Sequence, residues 1–330
     1  MDTEPIGGTV PPHPRRHQEH PLRAIVQQSF GTPDVLVPAE VARPVAGPGE
    51  VLVRVHAASV NPVDAHVRAG ALPMLGEPPF VLGWDVSGVV EEVAPDVTRF
   101  RVGDEVFGMP CFPRPAGAYA EYVAAPAGHL VRKPAGLDHV RAAALPLAGL
   151  TAWQALVGTA GLREGMRVLV HGAGGGVGHL AVQIARARGA EVLATASAAK
   201  HDFVRSLGAD RVIDYRAGDF AAGLGGLDVV LDGVGGYGRR SLPLLAEDGM
   251  LITLIERNSP ELTAAAAAAG RRLAGPVVAP DAAGLTALAE LAEQGRLRPH
   301  VQDVLPLEEA AKAHALIESR GTRGKIVLTV

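Results

Sequence analysis

The sequence predicts a two-domain α/β protein, in which a β-barrel-like module is joined to a doubly wound parallel sheet. Short strands separated by Pro and Gly turns fill residues 22–145, and strands then alternate with helices. A last apolar strand, KIVLTV, can return to the first module. Alternating strands and helices imply right-handed crossovers and a parallel sheet. We therefore assign residues 22–145 and 296–330 to the β module, residues 146–295 to the parallel sheet and residues 1–21 to a polar, disordered tail.

The first module consists of short strands that alternate apolar and polar residues, the pattern of half-buried strands in a barrel. A helical segment, LPLAGLTAWQAL (145–156), follows them and leads into the second domain. The predicted strands are RAIVQQ, EVLVRVHAASV, VSGVVEEVAPDV and YAEYVAAP, with turns at GPGE and RVGDEVFG.

The second domain contains short apolar runs of the length expected for buried parallel strands. In chain order they are MRVLVH (166–171), AEVLATAS (190–197), RVIDY (211–215), LDVVLDGVG (227–235), GMLITL (249–254) and, as the last strand, GPVVAP (275–280).

Five glycines lie within residues 172–178, directly after the first of these strands and before a helical segment. Glycines at such a turn let backbone N–H groups approach an anion, and the helix N-terminus adds positive potential. The G-x-G-x-x-G pattern has Ala173 in its first slot. A tight turn without a ligand is the alternative, but the position after the first strand of a parallel sheet favours a dinucleotide site.

Composition excludes several classes of protein. Net charge is −4 and aromatic content is 4%, which disfavours a nucleic-acid-binding role. The single cysteine, Cys111, excludes an intramolecular disulfide and a multi-cysteine zinc site. No apolar run reaches membrane-spanning length, and the N-terminus lacks a signal-peptide core, so we expect a cytoplasmic protein without membrane contact.

Six motifs, in this order, resemble the medium-chain dehydrogenases/reductases, and among them the zinc-independent quinone oxidoreductase (zeta-crystallin-like) family. The resemblance implies a GroES-like β-barrel catalytic domain, a Rossmann domain and NADPH-dependent reduction of quinones or enones. The motifs are SVNPVDAHVRAG, FVLGWDVSGVV, RVGDEVFG, LPLAGLTAWQAL, HGAGGGVGHLAVQIAR and GTRGKIVL.

Two departures from the zinc-dependent relatives predict a site without metal. Asn61 stands where those relatives have a cysteine ligand, and Gly83-Trp84-Asp85 replaces their Gly-His-Glu triplet. Asp64 and His66 remain as a possible metal-binding pair, but a thiolate and a second imidazole are missing.

The cofactor implied by the resemblance is NADP(H). The second strand ends at Ser197 without the carboxylate that would bind a ribose 2′-hydroxyl and repel a 2′-phosphate. Lys200 also has a simpler interpretation, as a solvated residue in the first turn of a helix. The family's cofactor positions correspond here to Gly174, Gly175, Gly176, Val177, Ser197, Lys200, Tyr215, Leu254 and Arg320.

The resemblance also places a substrate cleft between the domains. For Trp84, ordinary core packing is the alternative to a cleft wall, and Asp85 could be a structural hydrogen-bond acceptor. His66 replaces a tyrosine of the family, and either delivers a proton near neutral pH or only lines the pocket. The predicted catalytic residues are Asn61, His66, Trp84 and Thr151, with Phe112 as a further wall residue.

Two further function classes stay open at this point. One is a pathway-specific enoyl reductase in biosynthesis, and the other is an NADPH-binding structural or RNA-binding protein without turnover. The resemblance also implies a homodimer, since in relatives a last strand like GPVVAP pairs with its copy across a two-fold axis and so covers an exposed edge.

Overall fold

The structure, a computed structural model, describes residues 21–330. Residues 1–20, which make up nearly all of the predicted tail, lie outside the described residues. Sixteen strands form three sheets of three, six and seven strands in the described chain. They are β1 (Leu22–Gln27), β2 (Leu36–Val41), β3 (Glu50–Val60), β4 (Phe80–Val81), β5 (Asp85–Val93), β6 (Glu105–Gly108), β7 (Tyr122–Pro126), β8 (Leu130–Arg132), β9 (Arg167–His171), β10 (Glu191–Ala196), β11 (Arg211–Asp214), β12 (Leu227–Asp232), β13 (Leu245–Thr253), β14 (Arg272–Ala274), β15 (Val301–Pro306) and β16 (Lys325–Thr329).

Helices separate the strands mainly in the second half of the chain. No helix of residues 21–330 is long and apolar enough to cross a membrane. The α-helices are α1 (Pro62–Arg68), α2 (His139–Ala143), α3 (Pro146–Trp153), α4 (Gly178–Ala187), α5 (His201–Ser206), α6 (Gly238–Ser241), α7 (Pro260–Ala268), α8 (Ala282–Glu293) and α9 (Ala310–Glu318).

The six-stranded sheet is entirely parallel, with the order β11-β10-β9-β12-β13-β14. The apolar run Val168–Val170 in β9 is fully buried, as expected for a strand with neighbours on both sides and helices on both faces. The strand order reverses between β9 and β12. In sheets of this kind, ligands bind in the crevice at the carboxyl ends of the strands beside that reversal.

The last strand of this sheet differs from the prediction. It is β14 at Arg272–Ala274, and residues 275–280 form no strand. Pro276 has no N–H to donate to a ladder. The backbone of Ala279 instead exchanges two hydrogen bonds with the side-chain amide of Gln154, at 2.8 and 3.0 Å.

The seven-stranded sheet belongs to the β module and confirms that the final strand returns to it. β16 pairs antiparallel with β3 and parallel with β15, so it lies inside the sheet. β3 has eleven residues and also pairs with β5 and β7. The two-domain α/β class predicted from the sequence is therefore correct.

One apolar core runs through both domains. Trp84 and Ile326 of the β module lie in the same cluster of buried side chains as Val170 of β9 and Leu285 of α8. Helix α3 connects the domains, and its first turn is stabilised by Asp85, whose Oδ1 accepts the N–H of Leu147 at 2.7 Å. A π-helical turn at Gln154–Thr159 continues α3 beyond the predicted end of this helix.

Candidate functional site

The glycine-rich turn lies at the carboxyl end of β9, where the strand order reverses. Gly172 has a φ of +67°, and a Cβ at Gly178 would collide with the carbonyl oxygen of Gly172. Only glycine fits at both positions. Within the described chain, the N–H groups of Gly174 and Gly176 have no hydrogen-bond acceptor. With the N-terminus of α4, they can bind a phosphate group.

Lys200 approaches this turn from the end of β10. A Cβ at Gly174 would lie 2.7 Å from Cδ of Lys200, and Nζ of Lys200 donates to the carbonyl oxygen of Thr322 at 2.6 Å. Burial lowers the pKa of Lys200, and the positive charges of Arg323 and Arg216 lower it further. Three cations therefore lie close together at this end of the turn.

Two of these three cations, Arg216 and Arg323, were not predicted from the sequence. The guanidinium group of Arg323 donates to the carbonyl oxygen of Ala199 at 2.7 Å, and that of Arg216 lies 5.5 Å from the ring centroid of Tyr215. Arg323 stands three residues after the predicted Arg320, which is exposed and has a φ of +57°. Arg216 directly follows Tyr215, so proximity in sequence to predicted residues was the available signal.

Ser197 and Leu254 follow the carboxyl ends of two strands of the parallel sheet, β10 and β13. Ser197 is half-buried after β10, and its carbonyl oxygen accepts the N–H of Lys200 at 2.8 Å. Leu254 follows β13, where its N–H donates to the carbonyl oxygen of Asp232 at 2.9 Å. Val177 immediately precedes α4. Val177, Ser197 and Leu254 therefore all lie at the carboxyl edge of the parallel sheet, as predicted cofactor residues should.

Asn61 lies in a buried polar network rather than on an open wall. Its Nδ2 donates to Oδ2 of Asp85 at 2.8 Å, and its Oδ1 accepts from Nζ of Lys325. Asp85 also accepts from Oγ of Ser59 at 2.6 Å, in addition to the N–H of Leu147. Asp85 is thus the structural acceptor that the sequence suggested, and both polar atoms of the Asn61 amide already have partners.

Asp64 joins the same network from α1. Its Oδ2 accepts from the backbone N–H of Asn61 at 2.7 Å and from the hydroxyl of Tyr119 at 3.1 Å. The hydroxyl of Tyr119 also lies 3.2 Å from Nε2 of His314. Burial raises the pKa of Asp64 to about 7, and the negative charge of Asp85 adds to the shift. Asp64 therefore titrates near neutral pH, unlike an exposed aspartate.

Lys325 is the member of this network that was not predicted from the sequence. Its side chain is 2% exposed, and Nζ lies 3.6 Å from Oδ2 of Asp85. Burial lowers its pKa, whereas Asp85 and Asp64 raise it. Lys325 is one of only four lysines in the chain and stands within the motif GTRGKIVL, which was the available signal.

Trp84 is in the core, which corrects its prediction as a catalytic residue on the cleft wall. Its side chain has no exposed surface, and Nε1 donates to the carbonyl oxygen of Arg114 at 2.7 Å. The ring of Phe112 packs against it edge to face, with centroids 5.3 Å apart. The indole N–H needs a buried acceptor, and the Arg114 carbonyl lies in a loop 30 residues away.

Two predicted catalytic residues remain at accessible positions. His66 is exposed on α1, and Thr151 is half-buried on α3. The hydroxyl hydrogen of Thr151 is used within the helix, since Oγ1 donates to the carbonyl oxygen of Leu147 at 2.7 Å. In this conformation Thr151 can only accept a hydrogen bond from a ligand, contrary to the predicted donor role.

Asn61 and Trp84, which stand in the sequence where zinc-dependent relatives have metal ligands, do not fit zinc. Asn61 and Trp84 use their polar atoms within the protein, as described above. Among residues 21–330, no group of three or more His, Cys, Asp and Glu side chains could hold a metal ion.

Comparisons with known proteins agree on one family. A family model described as "Alcohol dehydrogenase GroES-like domain" matches residues 47–135, and one described as "Zinc-binding dehydrogenase" matches residues 207–328. The chain is 35% identical to the quinone oxidoreductase of Sus scrofa, over 93% of this chain and 97% of the relative. It is 36% identical to the human mitochondrial NAD(P)H oxidoreductase RTN4IP1, over 86% of this chain and 82% of the relative.

Solved structures with this fold include two quinone oxidoreductases. The one from Coxiella burnetii is 36% identical with a TM-score of 0.89, and the match covers 94% of this chain and all of that one. The Escherichia coli quinone oxidoreductase, solved with NADPH, is 28% identical with a TM-score of 0.85, over 93% of this chain and all of that one.

Proposed function

This chain belongs to the quinone oxidoreductase family of the medium-chain dehydrogenases/reductases, and from that premise we propose that it transfers a hydride from NADPH to a quinone or an α,β-unsaturated carbonyl compound without a metal ion. That it is an NAD(P)H-dependent oxidoreductase follows from the family. The glycine-rich turn at the reversal of strand order, with Lys200 packed against it, carries the proposal.

The charges around Lys200 favour NADPH over NADH. Arg216, Arg323 and Lys200 lie near the carboxyl end of β10. The residue that follows this strand is Ser197, which carries no negative charge. A 2′-phosphate dianion would neutralise this concentration of positive charge, whereas the 2′-hydroxyl of NADH would not. The Escherichia coli relative was solved with NADPH, which supports the same choice.

A conjugated substrate is the one that a site without a metal ion can reduce most readily. NADPH, when bound, supplies the hydride, and the protein orients the reactants and excludes water. Without a Lewis acid, an isolated carbonyl lacks stabilisation of several kcal/mol. A quinone or enone spreads the developing negative charge over a conjugated system and therefore requires less help.

A ring N–H of His66 is the donor available to the substrate oxygen, since Asn61 is buried and both polar atoms of its amide have partners within the protein. His66, which is exposed on α1, can also return the final proton as a general acid.

A substrate panel tests the proposal. We expect NADPH oxidation with 1,4-quinones or enones, and negligible oxidation with saturated ketones. Primary alcohols should give no turnover in the reverse direction. Consumption of NADPH with a saturated ketone, and none with any quinone or enone, would contradict the proposal.

Independence of metal has its own test. Activity is expected to survive exhaustive dialysis against EDTA. Stoichiometric zinc by elemental analysis, with activity lost on its removal and restored by its addition, would overturn the metal-free part alone.

A further inference from the structure

A single buried lysine connects the glycine-rich turn with the β module. Lys325 follows Gly324, whose N–H donates to the carbonyl oxygen of Gly174 at 3.1 Å. Its stem passes Gly176, where an added Cβ would lie 3.4 Å from Cδ of Lys325. Lysine is almost never fully buried unless it is paired. Here the ammonium group ends at Oδ1 of Asn61 and 3.6 Å from Oδ2 of Asp85.

This ammonium group determines which way the Asn61 amide points. An ammonium can only donate hydrogen bonds, so it requires the oxygen of the amide. An ionised carboxylate can only accept, so Asp85 requires the nitrogen, which it binds at 2.8 Å. Rotation of the amide by half a turn would therefore place its NH2 group against the ammonium of Lys325 and its oxygen against the carboxylate of Asp85, and neither pair can form a hydrogen bond.

Asn61 in turn positions the start of α1. Its backbone N–H donates to Oδ2 of Asp64 in the first turn of the helix, at 2.7 Å. Helix α1 carries His66 on its exposed side. One chain of contacts thus runs from Gly174 and Gly176 through Lys325 and Asn61 to the helix that lines the substrate side.

We propose that Lys325 is a positioning residue for hydride transfer: by holding the Asn61 amide beside the glycine-rich turn, it fixes the substrate side of the site relative to the bound cofactor. The inference rests on the proposed function. Hydride transfer requires the reacting atoms in a near-attack arrangement, and a misplacement of about 1 Å can cost 100-fold in rate. Lys325 contributes to that arrangement without contacting the substrate.

The variant K325M keeps an unbranched, apolar stem of similar length and removes the ammonium group. Asp85 retains its hydrogen bonds from Ser59, Asn61 and Leu147, so the buried carboxylate keeps three donors and the variant is expected to fold. At saturating NADPH and quinone, kcat should fall at least ~30-fold, as expected for a misplaced reaction pair.

Two further measurements separate positioning from cofactor binding and from general destabilisation. The Kd of NADPH, measured by nicotinamide fluorescence without an acceptor, should change by less than about threefold in K325M, since the phosphate contacts are elsewhere. The primary isotope effect with NADPH deuterated at the transferred hydrogen should increase, because hydride transfer becomes slower relative to release of product.

S87A is the matched control. Ser87 is buried on the same strand as Asp85, and its hydroxyl donates to the carbonyl oxygen of Val106 at 3.2 Å, outside the Lys325 network. S87A should lose some stability and keep both kcat and the isotope effect.

N61A is a second test of the same inference. It removes the amide that Lys325 holds, while the ion pair of Lys325 with Asp85 remains. N61A alone should show the same loss of kcat, and the addition of K325M should lower kcat by less than about threefold more. If K325M does not fold, N61A carries the test on its own through kcat, Kd and the isotope effect.

The inference is overturned if K325M or N61A keeps the wild-type kcat. It is also overturned if K325M raises the Kd of NADPH more than it lowers kcat, or if S87A loses as much kcat as K325M. A wild-type protein that oxidises NADPH with no quinone or enone overturns the proposed function instead, and this inference with it, before any variant is compared.

Discussion

Lys200 is the residue whose removal should change cofactor choice most simply. Its Nζ uses one hydrogen on the Thr322 carbonyl, which leaves two hydrogens for an anion. K200A should weaken NADPH binding by ~1–3 kcal/mol, as for a hydrogen bond to a charged group. The affinity for NADH should stay nearly unchanged, because NADH has no 2′-phosphate. Fluorescence titration with both nucleotides measures the two affinities.

The exposed Lys312 on α9, which pairs with Glu309 just before that helix, offers the matched control. K312A removes the same charge from the protein and should leave both affinities as they are. Equal binding of NADH and NADPH by the native protein would show that the cations around Lys200 do not select the cofactor.

His66 is the residue expected to return the proton. H66Q keeps a polar side chain on the exposed face of α1 but cannot act as a general acid. Turnover with enones should fall, because the reduced substrate must then take its proton from water. Rates measured with one enone at saturating NADPH check the loss. An unchanged rate would remove the proton-donor role and leave the rest of the proposed function intact.

How well single residues could be predicted depended on how local their environment is. The glycines of residues 172–178 were predictable, because the strand before them and the helix after them impose the turn. Trp84 was not, because its position depends on a hydrogen bond to the Arg114 carbonyl. The partner of Asn61 is still more distant: Lys325 follows it by 264 residues, and no local pattern reveals such a contact.

Among the elements, α4 should make stability depend on pH. His179, fully buried on α4, donates from Nδ1 to the Gly175 carbonyl at 3.0 Å, and its Nε2 accepts the N–H of His300 at 3.1 Å. It must therefore be neutral, and burial lowers its pKa to about 4. Below the ordinary histidine pKa of about 6.5, His179 binds a proton in the unfolded chain but stays neutral in the folded chain. Stability is therefore lost as the pH falls from about 6.5 towards 4.

H179Q should reduce this dependence. Between neutral pH and a pH just above the lowered pKa of His179, the free energy of unfolding should decrease by about 2 kcal/mol less in H179Q than in the wild type, as expected for a proton that only the unfolded chain binds. Urea unfolding at the two pH values measures the difference. Equal pH dependence in H179Q and the wild type would contradict the prediction.

The elements themselves were predicted where one physical signal dominated. Short apolar runs gave five strands of the parallel sheet, since a strand covered on both faces must be apolar throughout. Residues 275–280 carry the same signal and form no strand, because Pro276 interrupts the ladder and Gln154 binds the backbone of Ala279. Apolar character alone therefore could not locate the edge of the sheet.

At the scale of the whole molecule, the edge of the parallel sheet favours a homodimer. β14 pairs only with β13 among the described residues, so its outer side is open. Val277, three residues beyond it, is 62% exposed. Such an edge is commonly covered by a second copy across a two-fold axis. We expect a dimer by light scattering at micromolar concentration, and V277D should shift the protein towards the monomer.

The control for V277D is V102D, since Val102 is 67% exposed on the other domain. It adds the same charge and should leave the mass unchanged. A monomer mass for the wild type, or equal masses for all three proteins, would argue against this interface.

The position of β16 inside the seven-stranded sheet has a consequence for synthesis of the protein. β3 is synthesised early, but its pairing with Lys325–Thr329 can form only after the last residues of the chain have been synthesised. The parallel sheet, whose strands all lie between Arg167 and Ala274, can complete itself while the chain is still growing. A chain that ends before Lys325 would therefore contain all six strands of the parallel sheet but would leave Ala57–Val60 of β3 without their partner strand β16.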